Sequence, residues 1–195
     1  AVAGASAAEM DKLREAALKA GADTAYSASE ASQAEAELAK AGVSVADILG
    51  GALSGSLGLA AAGQLDLGQA AEISAQALNI FGLAGDQTTR VADVLAAGAN
   101  KSAADVTQLG DALRQGGLLA AQTGLSLEET TGVLSLFADN ALIGSDAGTS
   151  LKTMLQRLAP ATGPAAEAMA ELGLNFYDAQ GAFVGIEEVA AQLQD

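Results

Sequence analysis

A short turn motif, in which a glycine is followed by an apolar residue, recurs at regular intervals along this 195-residue chain. The copies Ala41-Gly42-Val43, Phe81-Gly82-Leu83 and Thr123-Gly124-Leu125 place their glycines 40 and 42 residues apart, and Leu172-Gly173-Leu174 repeats the motif out of register. A glycine just past a helix end adopts the left-handed backbone conformation, and the apolar residue after it packs back onto the last turn. Units of about 40 residues with two helices each therefore predict stacked helical hairpins.

Capping signals divide the chain into about ten helices. Ser27 with Glu30 and Ser126 with Glu129 have the Ser-x-x-Glu spacing of a capping box, in which each side chain bonds the other residue's amide. The other predicted boundaries are starts at Ser44, Asp66, Ser102 and Ser145, a stop at Gly21, a weak point at Gly116-Gly117, and the closing residues Pro160 and Pro164. Apolar residues recur at helical spacing after these starts, which favours an all-α fold.

The composition points to helices that pack closely. Half of the residues are hydrophobic, but only 3% are aromatic, and the chain contains 23 glycines. Ala, Leu and Val dominate such an interior, which favours an all-helical protein. The length suits one domain or two smaller ones, and we expect helical subdomains at residues 1–122 and 123–195. Because the sequence begins with Ala1, we also expect it to be part of a longer protein.

The C-terminal part of the sequence has a different pattern. Residues 174–184 alternate in polarity around the turn sequence Asp178-Ala-Gln-Gly181, which predicts a small β-hairpin. Residues 186–193 then predict a last short helix, with Glu187 and Glu188 favourably placed in its first turn. The expected fold is therefore all-α, with stacked helical hairpins and a small C-terminal β-hairpin.

The charge and the missing residue types argue against several classes of function. The net charge of −15 argues against nucleic-acid binding by this segment and against attraction to an anionic membrane. The absence of cysteine and histidine removes disulfides, thiol nucleophiles, and the commonest metal ligand and general base. We predict no catalytic, cofactor-binding or metal-binding residues, no cofactor, and no enzymatic activity.

The acidic residues that could suggest a site have ordinary structural explanations. Glu128-Glu129 and Glu187-Glu188 are adjacent pairs in predicted first helix turns, whereas catalysis by two carboxylates needs side chains that converge. Four polar residues around the predicted turn before Ser145 lack the ligand spacing of an EF-hand, so turn and capping roles are expected for Asp139, Asn140, Asp146 and Thr149.

One stretch is a weak candidate for a membrane helix. Residues 43–65 are apolar and contain Gly51-x-x-x-Gly55, the spacing of a membrane dimer motif. The stretch also contains Asp47 and is rich in small residues, whereas a spanning helix needs about 20 strongly apolar residues. Gly50 and Gly51 lack the Lys-Ser/Thr ending of a phosphate loop. Close packing of a buried helix at these glycines is the preferred interpretation.

Several short segments of the sequence occur in a characteristic order and spacing. Those from the turn at Gly124 onward are 124–130 (GLSLEET), 143–149 (IGSDAGT), 155–158 (LQRL), 171–176 (ELGLNF) and 178–181 (DAQG). Those upstream are 26–31 (YSASEA), 38–42 (LAKAG), 65–67 (LDL) and 91–95 (VADVL). In their order and spacing these segments resemble the core domain of bacteriophage tail tape measure proteins. The resemblance covers nearly the whole chain from about Lys19.

This resemblance implies a structural role in the virion. Members of the family lie inside the growing tail tube, set its length, assist assembly, and leave before or with the DNA during ejection. The partners it implies are further copies in a trimer-like homo-oligomer, proteins of the tail tube, tip or baseplate, tail assembly chaperones, and a transient contact with the host membrane. The implied locations are the tail lumen or tip and, during assembly, the host cytoplasm.

The helix lengths predict which part of such a protein this is. A single helix of this length would reach about 290 Å, but predicted breaks recur every 15 to 25 residues or so, as in globular proteins. We therefore expect a globular module rather than an extended ruler. The alternative is a membrane-active, pore-forming module in which residues 43–65 or 118–142 insert after release at DNA ejection.

Overall fold

The computed structural model describes residues 5–159 and 162–194 and contains ten helices in these ranges. The helices are α1 (Ala7–Asp23), α2 (Ala28–Lys40), α3 (Val45–Gly63), α4 (Leu67–Phe81), α5 (Thr88–Asn100), α6 (106–122), α7 (Leu127–Asp139), α8 (Gly144–Leu158), α9 (Pro164–Glu171) and α10 (Ile186–Gln194). A 3-10 turn, Gly85–Gln87, precedes α5. The all-α class and the predicted number of helices are confirmed.

The recurring glycine turn ends helices as the sequence predicts. Gly42, Gly82, Gly124 and Gly173 all have positive φ, between 62° and 91°. After each one, the amide of the apolar residue donates to a carbonyl five residues earlier, at 2.8–3.0 Å. This is the bond that satisfies the free carbonyls at a helix end. One motif therefore ends four of the helices in the same way.

Helices α2 to α8 stack in two layers. In one layer α2 packs on α4, α4 on α6, and α6 on α8; in the other, α3 packs on α5 and α5 on α7. Helix α1 packs on α2 and the beginning of α3. One cluster of buried apolar residues runs through the stack from Leu13 to Leu155. The chain therefore forms the stacked helical hairpins that the repeat predicts.

Most side-chain hydrogen bonds between successive hairpins in the described residues share one register, and the bond from Ala103 to Asp139, 36 positions apart, is the exception. Among the described residues, four bonded pairs lie 38 positions apart in sequence, and they are Ala41 with Asn79, Asp47 with Gly85, Gln69 with Thr107, and Arg90 with Glu128. A constant offset is expected when each unit of a repeat contacts only its neighbour. The sequence repeat is thus also a repeat of contacts.

Glycines let the helices approach each other at two crossings. A Cβ atom on Gly148 of α8 would lie 2.1 Å from the carbonyl oxygen of Ala112 on α6. A Cβ on Gly55 of α3 would lie 2.6–2.7 Å from atoms of Thr88 at the start of α5. A Cβ on Gly58, one turn further along α3, would have no atom within 4 Å. Close packing at Gly55 is therefore observed, whereas Gly58 has no such role.

Several predicted helix boundaries are wrong. The residue that caps α6 is Asp105, in a capping box with Gln108, whereas the Ser102 hydroxyl donates to the Gly98 carbonyl at the end of α5. Helix α8 begins at Gly144 rather than Ser145, and no side chain caps it. Helix α1 continues through Gly21 to Asp23, and a Cβ on this glycine would lie 2.6 Å from the backbone nitrogen of Ala28 in the next helix.

Other predicted boundaries are confirmed or lie outside the described residues. Side-chain caps at Ser27, Ser44, Asp66 and Ser126 are observed. The weak point at Gly116-Gly117 is a π-helical turn, Leu113–Gly117, through which α6 continues. Pro164 is the first residue of α9, while Pro160 lies outside the described residues.

The predicted C-terminal β-hairpin is wrong. Between Gly173 and Gly185 the described residues form no strand, only an isolated antiparallel bridge between Tyr177 and Phe183. The Asp178 carboxylate accepts from the amides of Gln180 and Ala182 and closes the turn. Positive φ at Gly173 and Gly185 bounds the segment on both sides. Too few residues remain on each side for a ladder of strand bonds.

Candidate functional site between the first two helices

The groove between α1 and α2 is the feature that we consider as a candidate site. Capping boxes begin both helices, with Ser6 and Glu9 in α1 and Ser27 and Glu30 in α2. The groove has a volume of about 430 Å³. Side chains one helical turn apart line each wall, namely Met10, Leu13, Arg14, Ala17 and Leu18 of α1 and Ala28, Ser29, Ser32, Glu35 and Ala36 of α2.

Glu35 is an acid buried in this mostly apolar groove. The residue is 3% exposed, and its Oε1 atom has no hydrogen-bond partner. Burial disfavours the charged form and raises the pKa of the Glu35 carboxyl to about 7. The carboxyl therefore exchanges its proton near neutral pH, whereas an exposed glutamate is fully ionised there.

Among the described residues, Arg14 is the one basic side chain that lines the groove, and it does not bond to Glu35. Arg14 donates to the Oδ1 atom of Asp11, on its own helix, at 2.7 Å, and its side chain is 71% exposed. No bond joins Arg14 to Glu35 among the described residues. The groove therefore offers a buried carboxyl whose charge has no counterion.

The sequence contained a signal for Glu35 that the sequence analysis missed. Ala31, Ala34, Glu35 and Leu38 fall at positions i, i+3, i+4 and i+7, and all four are buried. An acidic residue inside an apolar stripe is the kind of exception that marks a buried polar group. The sequence alone could have singled out this position, but not the groove beside it.

The adjacent acid pairs lie in first helix turns, as the sequence predicts. Glu128 accepts two hydrogen bonds from Arg90, at 2.6 and 2.8 Å, and these bonds lower the pKa of its carboxyl. Glu129 instead closes the capping box with Ser126. In the second pair, Glu188 accepts from Gln192 in α10. The two carboxylates at 128 and 129 thus bond to different partners and do not converge.

The polar residues near the turn before α8 also have ordinary partners. Asp139 accepts from the amide of Ala103, and Asn140 donates to the carbonyl of Leu136. In the part of the chain that the structure describes, no group of three or more acidic residues is arranged to hold a metal ion. The capping role expected for Asn140 is therefore observed, whereas Asp139 joins two successive hairpins instead.

Helix α3 is the one helix among the described residues that is long and apolar enough to cross a membrane by composition. A π-helical turn at Ile48–Ala52, with φ of 156° at Gly51, kinks it. Its residues Leu53 and Leu59 are buried in the common core, and it packs on α4 and α5. The other stretch considered for insertion, 118–142, is broken by the Gly124 turn. Both stretches are thus parts of the helical stack.

The exterior of the molecule is acidic and carries scattered apolar residues. The large apolar side chains that are more than half exposed are Leu18, Leu118, Leu136, Leu172 and Leu193. Four of them lie on different helices, Leu172 directly follows α9, and isolated exposed leucines are normal on a protein surface. Only Leu18 belongs to the groove described above.

The fold is a stack of helical hairpins with a net negative charge, and its described residues contain no cluster of acidic residues that could hold a metal ion. Residues 14–195 match the model of the phage-related minor tail protein family. This chain therefore belongs to that family. Together, the match and the curated relatives identify it as a segment of a phage tail tape measure protein.

Two curated relatives support the assignment. The chain is 40% identical, over 194 residues, to the tape measure protein of Pneumococcus phage Dp-1, covering 100% of this chain and 17% of that protein. It is 36% identical over 174 residues to the probable tape measure protein of Escherichia phage P2, covering 89% of this chain and 21% of that protein. The chain thus spans about a fifth of the length of these relatives. No solved structure matches it.

Proposed function

We propose that this chain is a compact, non-enzymatic module of a tape measure protein, and that it assists tail assembly and DNA ejection through protein contacts. The observation that carries the proposal is the 40% identity to a tape measure protein over the whole chain. The continuous core from Leu13 to Leu155 supports a compact module rather than an extended rod. Other parts of the parent protein would then contribute most of the tail length.

The proposed partners follow from the tail context. They are further copies in a trimer-like homo-oligomer, proteins of the tail tube, tip or baseplate, and tail assembly chaperones. The module would lie in the lumen or tip of the tail, and in the host cytoplasm during assembly. The net charge of −15 supports contacts with basic protein surfaces and opposes binding to nucleic acid by this segment.

The division into subdomains at 1–122 and 123–195 stays a prediction. Helix α8 packs on α6 across this boundary, and the core cluster includes residues from both sides. A protease cut near residue 122 that releases two stable fragments would establish the division. If protease degrades both parts together, without a stable fragment of either, the division is refuted.

The proposed function is tested by breaking the helical stack inside a phage. A Cβ on Gly148 would meet the Ala112 carbonyl oxygen at 2.1 Å, whereas at Gly132 of α7 it would meet nothing within 4 Å. Gly148→Leu in the tape measure gene should therefore abolish infectious particles. The matched Gly132→Leu variant should leave their yield within a few-fold of the parent.

Electron microscopy of the same lysates separates the stages at which the module acts. Absent or aberrant tails with Gly148→Leu would indicate a role in assembly, and normal tails that fail to deliver DNA would indicate a role in ejection. Normal infectivity of Gly148→Leu phage, with the variant protein present in the particles, would show that the folded module has no function in the tail.

A further inference from the structure

We propose that the groove between α1 and α2 binds a lysine side chain of a partner protein, with Glu35 as the counterion of its ammonium group. The groove combines a cavity of about 430 Å³ with an acid that is 3% exposed and has an unbonded oxygen. A bound cation would give this buried carboxyl an opposite charge, which no described residue bonded to it supplies.

The chemistry of Glu35 selects a cation. An ionised carboxylate buried without a partner is costly, and a protein offsets such a cost with an opposite charge and hydrogen bonds. A bound cation would stabilise the ionised form, so binding and loss of the Glu35 proton would be coupled. Because its carboxyl already titrates near neutral pH, this coupling is accessible under ordinary conditions.

The walls of the groove select the kind of cation. Met10, Leu13 and Ala17 present an apolar surface beside the carboxyl. A lysine can lay its methylene stem along such a surface while its ammonium group donates to an oxygen at the end of it. An arginine would need both carboxylate oxygens to make its usual paired bonds, whereas an ammonium can bond to a single oxygen.

The charge of this chain favours a lysine of a partner protein, rather than a basic residue of this chain, as the occupant of the groove. Arg14 is the one basic side chain that lines the groove, and it is engaged by Asp11 at the rim. The net charge of −15 also attracts basic surfaces and speeds their encounter. A lysine of a basic tail protein, with aliphatic neighbours that meet Leu18 at the rim, fits these conditions.

The proposal can be tested with n-butylammonium, which reproduces the lysine stem and its charge. We would titrate it into the 195-residue chain at pH 7 and constant ionic strength and follow amide NMR shifts. Saturable shifts confined to α1 and α2 are expected, with a dissociation constant on the order of millimolar for so small a ligand. n-Butanol, which has the same stem without the charge, should bind at least tenfold more weakly.

Two variants show whether Glu35 is the counterion. Glu35→Gln should weaken butylammonium binding at least tenfold. Glu37→Gln, which removes the same charge from the same helix but away from the groove, should leave the binding unchanged. In the parent protein, saturating butylammonium should lower the midpoint at which the Glu35 carboxyl carbon titrates. A helical peptide with one lysine should compete with butylammonium, and its norleucine counterpart should not.

Several results would overturn the proposal. Equal amide NMR shifts with n-butanol would mean that the groove binds only the apolar stem. Equal binding by the Glu35→Gln variant would place the ammonium elsewhere. An unperturbed Glu35 titration that becomes raised only in Arg14→Ala would mean that Arg14 already fills the groove in solution. Failure of the lysine peptide to compete would exclude a protein lysine as the occupant.

Discussion

Replacing Glu35 by glutamine should make the protein more stable, and the gain should grow as the pH rises. The Glu35 carboxyl has a pKa of about 7 in the folded protein, above its ordinary value of 4.5, because it is buried. The unfolded chain therefore releases this proton at lower pH than the folded chain does. Glu35 contributes most to stability below pH 4.5, and that contribution is lost as the pH rises through 7.

The size of the effect follows from these two pKa values. Between pH 5.5 and pH 8, the free energy of unfolding of the parent should fall by about 2 kcal/mol relative to that of Glu35→Gln. The side chains are nearly equal in size, and glutamine resembles the protonated acid, so the two proteins should differ least at the acidic end. This pH range stays above the isoelectric point of about 4.1, the pH at which the protein is least soluble.

Urea unfolding, followed by circular dichroism at several pH values, measures this difference. Glu37→Gln is the matched control because it removes one carboxylate from the same helix. The Glu37 carboxylate pairs with Lys40, and the Glu37 side chain is 41% exposed. Its difference from the parent should stay within about 0.5 kcal/mol at every pH. A difference between the parent and Glu35→Gln that does not vary with pH would refute the argument from burial.

Three further substitutions test the packing and the turns, each by the free energy of unfolding. Gly55→Ala should destabilise the protein by about 1–3 kcal/mol, since the new methyl group overlaps the start of α5. Gly58→Ala lies in open space on the same helix and should stabilise the protein by about 0.5–1 kcal/mol. Gly82→Ala should cost about 1–2 kcal/mol, because φ there is 62° and alanine disfavours that conformation. Arg90→Ala removes an ion pair whose side chains are 46% and 43% exposed, so it should cost less than about 1 kcal/mol, and high salt should reduce that cost. Equal effects of Gly55→Ala and Gly58→Ala would contradict the close helix crossing.

The stacked hairpins could be predicted because local signals repeat. The glycine turns at Gly42, Gly82 and Gly124 mark the period, and caps such as Ser126 mark the starts. These signals act over four to six residues, so the sequence displays them directly. The same locality explains why the first-turn positions of Glu128 and Glu129 could be predicted.

The wrong predictions concern choices that the rest of the fold decides. Ser102 and Asp105 are both acceptable caps, and only the packing of α5 against α6 determines which one is used. Gly21 looks like a helix stop until Ala28 of the next helix is placed against it. At the C-terminal end, alternating polarity suggests two strands, but the positive φ of Gly185 ends the second expected strand after Val184. The groove at Glu35 needs two helices, so neither helix alone reveals it.

Tail length in a phage that lacks this segment tests most directly whether the segment is a compact module. An in-frame deletion of residues 1–195 from the tape measure gene, with tails measured by electron microscopy, gives the answer. A compact module predicts tails of unchanged length that fail in assembly or in DNA delivery. Tails shortened by about 290 Å, which is 1.5 Å for each deleted residue, would show that the segment lies extended along the tube and would contradict this account.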